Sequence, residues 1–121
     1  MNMSNFDNSM WREKGATLSD KSVRKIYKLT QDEILEGINS RKLQYKVNYI
    51  YDNPWFRLLK TEVEKFIEEK YGKAHLQLLK LEIESKDIET ELKTINNRAK
   101  ELEKRRKEVK EAIITLNTSR N

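Results

Sequence analysis

From Leu18 onward the apolar residues fall into regular spacings, and each change of spacing marks a new element. In "LSDKSVRKIYKL", Val23, Ile26 and Tyr27 share one helical face behind Ser19, a suitable N-cap. "TQDEILEGINSRKL" begins with Thr30 and has Glu33 three residues on, the spacing of a capping box, with Ile34, Leu35 and Ile38 as its buried stripe. The two segments meet across a turn of about three residues, which predicts helix-turn-helix geometry. Next, Leu43, Tyr45, Val47, Tyr49 and Tyr51 alternate with Gln44, Lys46 and Asn48. Period two over this length predicts a half-buried strand. Asp52-Asn53-Pro54 predicts the turn of a hairpin, and "WFRLLK" its return strand. Thr61 and Glu64 repeat the capping-box spacing ahead of a third helix, with Val63, Phe66, Ile67 and Tyr71 as its stripe.

A heptad takes over from residue 71. Its d positions, Ala74, Leu81, Ile88, Ile95, Leu102, Val109 and Leu116, are all apolar. Its a positions, Tyr71, Leu78, Ser85, Leu92, Ala99, Arg106 and Ile113, are mixed. This predicts a coiled coil with Leu78, Leu81, Ile88, Leu92, Ile95, Leu102, Val109, Ile113 and Leu116 as the dimerisation seam. Gly72 either ends the third helix or weakens a continuous one. A single helix cannot hide such a seam, so it needs a partner. Residues 81–91 are acidic (Glu82, Glu84, Asp87, Glu89, Glu91) and residues 98–110 are basic (Arg98, Lys100, Lys104, Arg105, Arg106, Lys107, Lys110). A parallel pair would set like on like. An antiparallel homodimer centred near Ile95 sets acid beside base and is the expected state. A turn at Asn96-Asn97, folding the segment back on itself, uses the same charges and is the alternative.

The expected organisation is a flexible tail over residues 1–17, a winged domain over 18–71, a coiled-coil helix over 72–117 and a disordered end over 118–121. The expected fold class is mainly α with an α+β head: a winged helix-turn-helix domain followed by a long C-terminal helix in an antiparallel coiled coil. Composition supports a small core with a long solvated extension, since charged residues make up 37% of 121 and apolar or aromatic ones 36%. The net charge of +5 favours acidic partners, nucleic acid first among them. With no cysteine and His75 as the single histidine, disulfides, thiolate metal sites and histidine-rich metal sites are excluded. The start of the chain lacks a secretory pattern, and no apolar run is long enough for a membrane span, so a cytoplasmic protein is expected.

"LSDKSVRKIYKLTQDEILEGINSRKL", followed by the hairpin and "LLKTEVEKFI", resembles the excisionase-like and MerR-type winged helix domains. The resemblance covers Leu18 to about Tyr71. It implies binding to double-stranded DNA, with the second helix in the major groove and the wing on the backbone or minor groove. It also implies dimerisation through an antiparallel helix, similar to what the charges predict on their own. Residues 21–60 carry nine basic residues against four acidic ones. The contact candidates are Gln31 at the start of the second helix, Asn39, Ser40, Arg41 and Lys42 near its end, Lys46 on the wing and Arg57 on the return strand. Lys21, Arg24, Lys25 and Lys28 are placed to flank the backbone. Against them stand Asp32, Glu33 and Glu36 on the presumed recognition helix. Capping explains Glu33 and the helix dipole explains Asp32, but Glu36 has no such reason and counts against base reading.

Tyr45, Tyr49, Tyr51 and Trp55 fit either stacking on unpaired bases or packing over a small core. Leu43 and Val47 share their face, which favours the core. His75, at an e position, and the run "KRRKEVK" are expected as solvated coil surface. No phosphate-binding loop and no nucleophile–base pair supports catalysis, and no cofactor, metal or small-molecule substrate is implied. The expected function is a dimeric DNA-binding protein, regulatory or architectural, its coil spanning roughly 67 Å, about two duplex turns. The alternative is a protein-interaction or scaffold module that keeps the winged fold without binding DNA.

Overall fold

The computed structural model describes residues 9–120. Among them the order is α1 (Ser9–Arg12), β1 (Thr17–Ser19), α2 (Asp20–Ile26), α3 (Gln31–Asn39), β2 (Tyr45–Ile50), β3 (Asn53–Leu59), α4 (Lys60–Tyr71) and α5 (Lys73–Ser119). The chain is mainly helical, with one antiparallel sheet of strand order β1-β3-β2. It divides into two compact units, the first ending at Leu81 and the second beginning at Glu82.

In the first unit the caps form as the spacings require. The Ser19 hydroxyl accepts from the Ser22 N–H at 3.0 Å and starts α2. Thr30 and Glu33 close their capping box on α3 at 3.1 and 3.0 Å. Lys28, at φ 63, turns the chain between the two helices, and Leu29 beside it is buried. Gly37 allows α3 to press on Leu43: a Cβ there would lie 2.6 Å from the Leu43 Cδ1. The Gly37 carbonyl then accepts from the N–H groups of both Lys42 and Leu43, with Arg41 at φ 62 making the turn out of the helix.

The hairpin turn falls one residue earlier than expected. Tyr51 and Asp52, at φ 49 and 69, make a two-residue turn, and Asn53 and Pro54 belong to β3. Pro54 is tolerated because it faces Tyr49 next to the closing pair Ile50–Asn53, a position that exchanges no ladder hydrogen bonds with β2. On its other side β1 reaches only Arg57–Leu59. The expected Thr61–Glu64 cap does not form. Helix α4 starts at Lys60, whose N–H bonds to the Ala16 carbonyl at 2.9 Å, and Leu59 is its N-cap without a side-chain bond. Glu64 is drawn instead to the Tyr27 hydroxyl (2.6 Å) and Lys80 (3.6 Å).

Ile34, Leu58, Ile67, Val23 and Val63 are fully buried and form the centre of the core, with Phe66, Leu43 and Leu59 around them. Gly72, at φ 96, ends α4, and α5 begins at once, burying Leu76 and Leu79 within the first unit.

Three expectations about order and burial are corrected. Of the tail expected over 1–17, residues 1–8 lie outside the described residues, while the rest is built in. Trp11 is 6% exposed, and Thr17 opens β1, which pairs with the end of β3. Bonds from the Arg57 guanidinium to the Thr17 hydroxyl and the Trp11 carbonyl hold the segment down. At the other end, Thr118 and Ser119 remain helical, bonding back to the carbonyls of Ile114 and Thr115. The tyrosine face of β2 does not cover a core. Tyr45, Val47 and Tyr49 are exposed, because the helices pack near Leu58 and Leu59 and leave the outer hairpin uncovered.

Among the described residues the second unit is the part of α5 from Glu82 onward. It runs unbroken through Asn96-Asn97, so the fold-back alternative does not occur. Leu78, Leu81, Ile88, Leu92, Ile95, Leu102, Val109, Ile113 and Leu116 stand 39–65% exposed. No helix among the described residues is long and apolar enough to cross a membrane.

Candidate nucleic-acid interface

Helix α2 buries Val23 and Asp20 and sends Lys21, Arg24, Lys25 and Lys28 to the surface at helical spacing. Four exposed cations thus line one short ridge at the helix and its following turn. The carboxylate closest to them is withdrawn. Asp20 is 8% exposed and is bonded by the Lys21 N–H (3.1 Å) and the Gln31 amide (3.3 Å), with Arg24 at 3.5 Å. Arg24 also donates to the Gln31 side-chain oxygen. Gln31 is therefore committed at both ends of its amide to joining α2 and α3, and is unavailable as the base reader expected of it.

The other candidates separate in the same way. Asn39 and Arg41 are exposed, whereas the Ser40 hydroxyl donates to the Gly37 carbonyl at 3.2 Å. Lys42 lies 3.2 Å from Glu69, both half-exposed. Lys46 projects from the sheet face covered by Trp11, its ammonium 4.9 Å from that ring centroid. Arg57 on the same face is half-buried and holds the N-terminal segment, a structural task that removes it as a phosphate contact.

The carboxylates of α3 find a partner that the sequence did not suggest. Lys70, near the end of α4, sits 2.8 Å from Glu36 and 3.2 Å from Glu33. Tyr71 donates its hydroxyl to Glu33. Burial alone would raise the Glu33 carboxyl. The hydrogen bonds from Tyr71, from the Thr30 N–H and from Lys70 outweigh it and hold the group down at about 2. The Lys70 ammonium is pushed up, chiefly by its hydrogen bond to Glu36, and the Tyr71 hydroxyl is pushed up chiefly by its bond to Glu33. Burial, reinforced by Glu64, raises the Tyr27 hydroxyl strongly. The exposed face of α3 keeps Asp32, Leu35, Glu36 and Asn39, so it presents more acid than base.

On the hairpin, Tyr45, Val47 and Tyr49 share a face with Leu58, Phe56 and Pro54 opposite them. Tyr45 meets Phe56 edge to face at 5.3 Å. Beside Tyr45, a shallow cleft of about 330 Å³ is lined by Ile38, Arg41, Leu43 and Gln44. Among the described residues, no group of three or more histidine, aspartate or glutamate side chains converges as a metal-ligand set.

Sequence reasoning missed Asp20 and Lys70, the two residues that decide which α2 and α3 side chains remain free. Lys70 lies 34 positions from Glu36, and no local spacing signals that pairing. No protein-family model matches the chain, and no curated protein and no solved structure shows a significant likeness to it.

Proposed function

We propose that the chain is a dimeric, non-catalytic protein that binds double-stranded DNA through a winged helix-turn-helix head, as an architectural factor or transcriptional regulator. The observation that carries this reading is the α2 ridge. Lys21, Lys25 and Lys28 are exposed and make no ion pair among the described residues, Arg24 stands beside them, and Asp20 is buried and bonded. Such a ridge suits phosphate oxygens, which supply sequence-independent affinity. Helix α3 suits base reading poorly, since Gln31 is committed and Asp32 and Glu36 remain outside. Backbone binding with little sequence preference follows, which favours the architectural role.

A second copy is the partner that α5 calls for, in antiparallel orientation. With each a residue against a d residue, one register covers the seam from end to end. It sets Leu78 against the second copy's Leu116, Leu92 against its Leu102, Ala99 against its Ile95 and Ile113 against its Leu81. The flanking g positions are Glu84, Glu91, Arg98 and Arg105. Run antiparallel in this register, Glu91 of one helix meets Arg105 of the other, and at the e positions Glu82 meets Lys110. Run parallel, Glu84 faces Glu89 and Arg105 faces Lys110. Exposed pairs contribute only a few tenths of a kcal/mol each, roughly, so charge selects direction while the seam provides affinity. Ser85 and Arg106 weaken two layers of this seam.

The test is fluorescence anisotropy on a duplex of arbitrary sequence. Affinity is expected to fall steeply between about 50 and 200 mM salt, and K21Q/K25Q/K28Q to reduce both the affinity and the salt slope. Absence of any complex at the lower salt would overturn DNA binding. One observation favours the second reading, a protein-interaction or scaffold module: the uncovered Tyr45, Val47 and Tyr49 of the hairpin beside an acid-rich α3.

A further inference from the structure

We infer that the outer ridge of α5, from Lys86 to Lys107, is a second surface for the phosphate backbone of duplex nucleic acid, separate from the α2 ridge. On this helix the charges are sorted by heptad position. The positions facing away from the a/d seam, b and f, read Lys86, Thr90, Lys93, Asn97, Lys100, Lys104 and Lys107. No carboxylate occurs among them. Of the nine acidic residues of α5, eight lie at c, e or g, and only Glu111 falls at f, beyond the ridge.

Pairing sharpens the sorting. Within the single chain the arginines have partners on their own helix: Arg98 with Glu101 at 3.4 Å, Arg105 with Glu108 at 3.3 Å and Arg106 with Glu103 at 2.7 Å. Lys86, Lys93, Lys100, Lys104 and Lys107 are exposed and make no ion pair or hydrogen bond among the described residues. A helix face kept polar only for solvation carries both signs, since alternating charges also support the helix through pairs three and four apart. A one-sign ridge forgoes that support.

The ridge has the length of a duplex contact. Lysines at Lys86, Lys93, Lys100 and Lys107 recur about every 10.5 Å along the axis. A straight helix laid along a duplex crosses each winding backbone in turn, so lysines spread along the ridge can reach phosphates on both sides of a groove. The whole ridge is about 31 Å long, close to one duplex turn. Because b and f lie opposite the seam, self-association leaves the ridge open. In an antiparallel pair both copies present it.

The test uses the full chain with a duplex of about 40 base pairs, measuring affinity across salt concentrations. K93Q/K100Q/K104Q/K107Q is expected to weaken binding at least about tenfold near 100 mM salt and to lower the slope of log affinity against log salt by about three. The variant's sedimentation and circular dichroism are expected to match the wild type, since none of the four touches the seam. K93R/K100R/K104R/K107R keeps the charge and is expected to bind as wild type. Unchanged affinity and slope in the glutamine variant would overturn the inference. So would loss of all duplex binding in K21Q/K25Q/K28Q at low salt, or a glutamine variant that loses affinity for anionic lipid vesicles but not for the duplex. If K21Q/K25Q/K28Q binds as wild type while the α5 variant does not, the head's DNA reading fails and the α5 ridge stands.

Discussion

The two units use the same raw material, apolar residues at helical spacing, with opposite outcomes. Among the described residues, all thirteen buried hydrophobic ones lie at or before Leu79. Beyond that point Leu81, Ile88, Leu92, Ile95, Leu102, Val109, Ile113 and Leu116 repeat as regularly as any stripe in the head, yet each is exposed. In the head, a sheet, helices α1 to α4 and the start of α5 converge, so each stripe meets another. In the second unit there is one helix, and its stripe meets nothing within the chain. Regular apolar spacing therefore states that a face will be covered, and leaves open whether the cover is intramolecular. Helices in proteins owe most of their stability to the packing of an apolar face, and within the chain the second unit's face has no such packing where the first unit has its own core.

Breaking the seam gives the largest separation between the two. Replacing Ile88, Ile95 and Leu102 by serine is expected to abolish self-association in sedimentation and to melt most of the helicity beyond Glu82. The near-ultraviolet signal of Trp11 and Trp55 in the head is expected to persist. Collapse of both signals together would show that the units are not independent. The next largest effect tests how far the head's core extends. Trp11→Ala is expected to lower the head's unfolding free energy by about 3 kcal/mol, because a nearly buried indole is lost and β1 is loosened. A loss under about 0.5 kcal/mol would return the segment to the status of a tail. The smallest effect comes from pH. The folded Glu33 carboxyl is held down at about 2 against 4.5 for the free group. Its contribution is complete above pH 4.5 and is lost as pH falls through that window toward 2. The size is on the order of 2 kcal/mol, and in Glu33→Gln the acid limb of the head's stability profile is expected to flatten by that amount.

Much of the head was legible because its signals are local. The caps at Ser19 and at Thr30 with Glu33 form as written, since each joins groups three residues apart on one chain. The hairpin was legible from period two, but its turn was misplaced. Asp52-Asn53-Pro54 carries the turn-forming residue types, whereas the register of β2 on β3 puts the reversal at Tyr51-Asp52. The Thr61–Glu64 spacing proved empty because β3 runs straight into α4, and the Lys60 N–H finds the Ala16 carbonyl instead. Half of the candidate site dissolved for the same kind of reason. Gln31 and Arg57 have the right chemistry for DNA, and contacts with Asp20, Thr17 and Trp11 claim them. A signal for the N-terminal segment did exist, in a lone tryptophan followed by the short run Thr17-Leu18, but three residues of strand are too few for periodicity to register.

By itself the sequence determined helices α2 to α5, the caps at Ser19 and Thr30, the existence of the hairpin and the charge sorting along α5. Each of these depends on neighbours within about seven residues, where backbone geometry fixes who meets whom. Only the tertiary structure decided that Trp11 belongs to the head, that the tyrosines of β2 face outward, and that Lys70 pairs with Glu33 and Glu36. Those outcomes turn on contacts between residues 34 to 46 positions apart. At that separation, shape and packing choose the partner, and residue type alone does not.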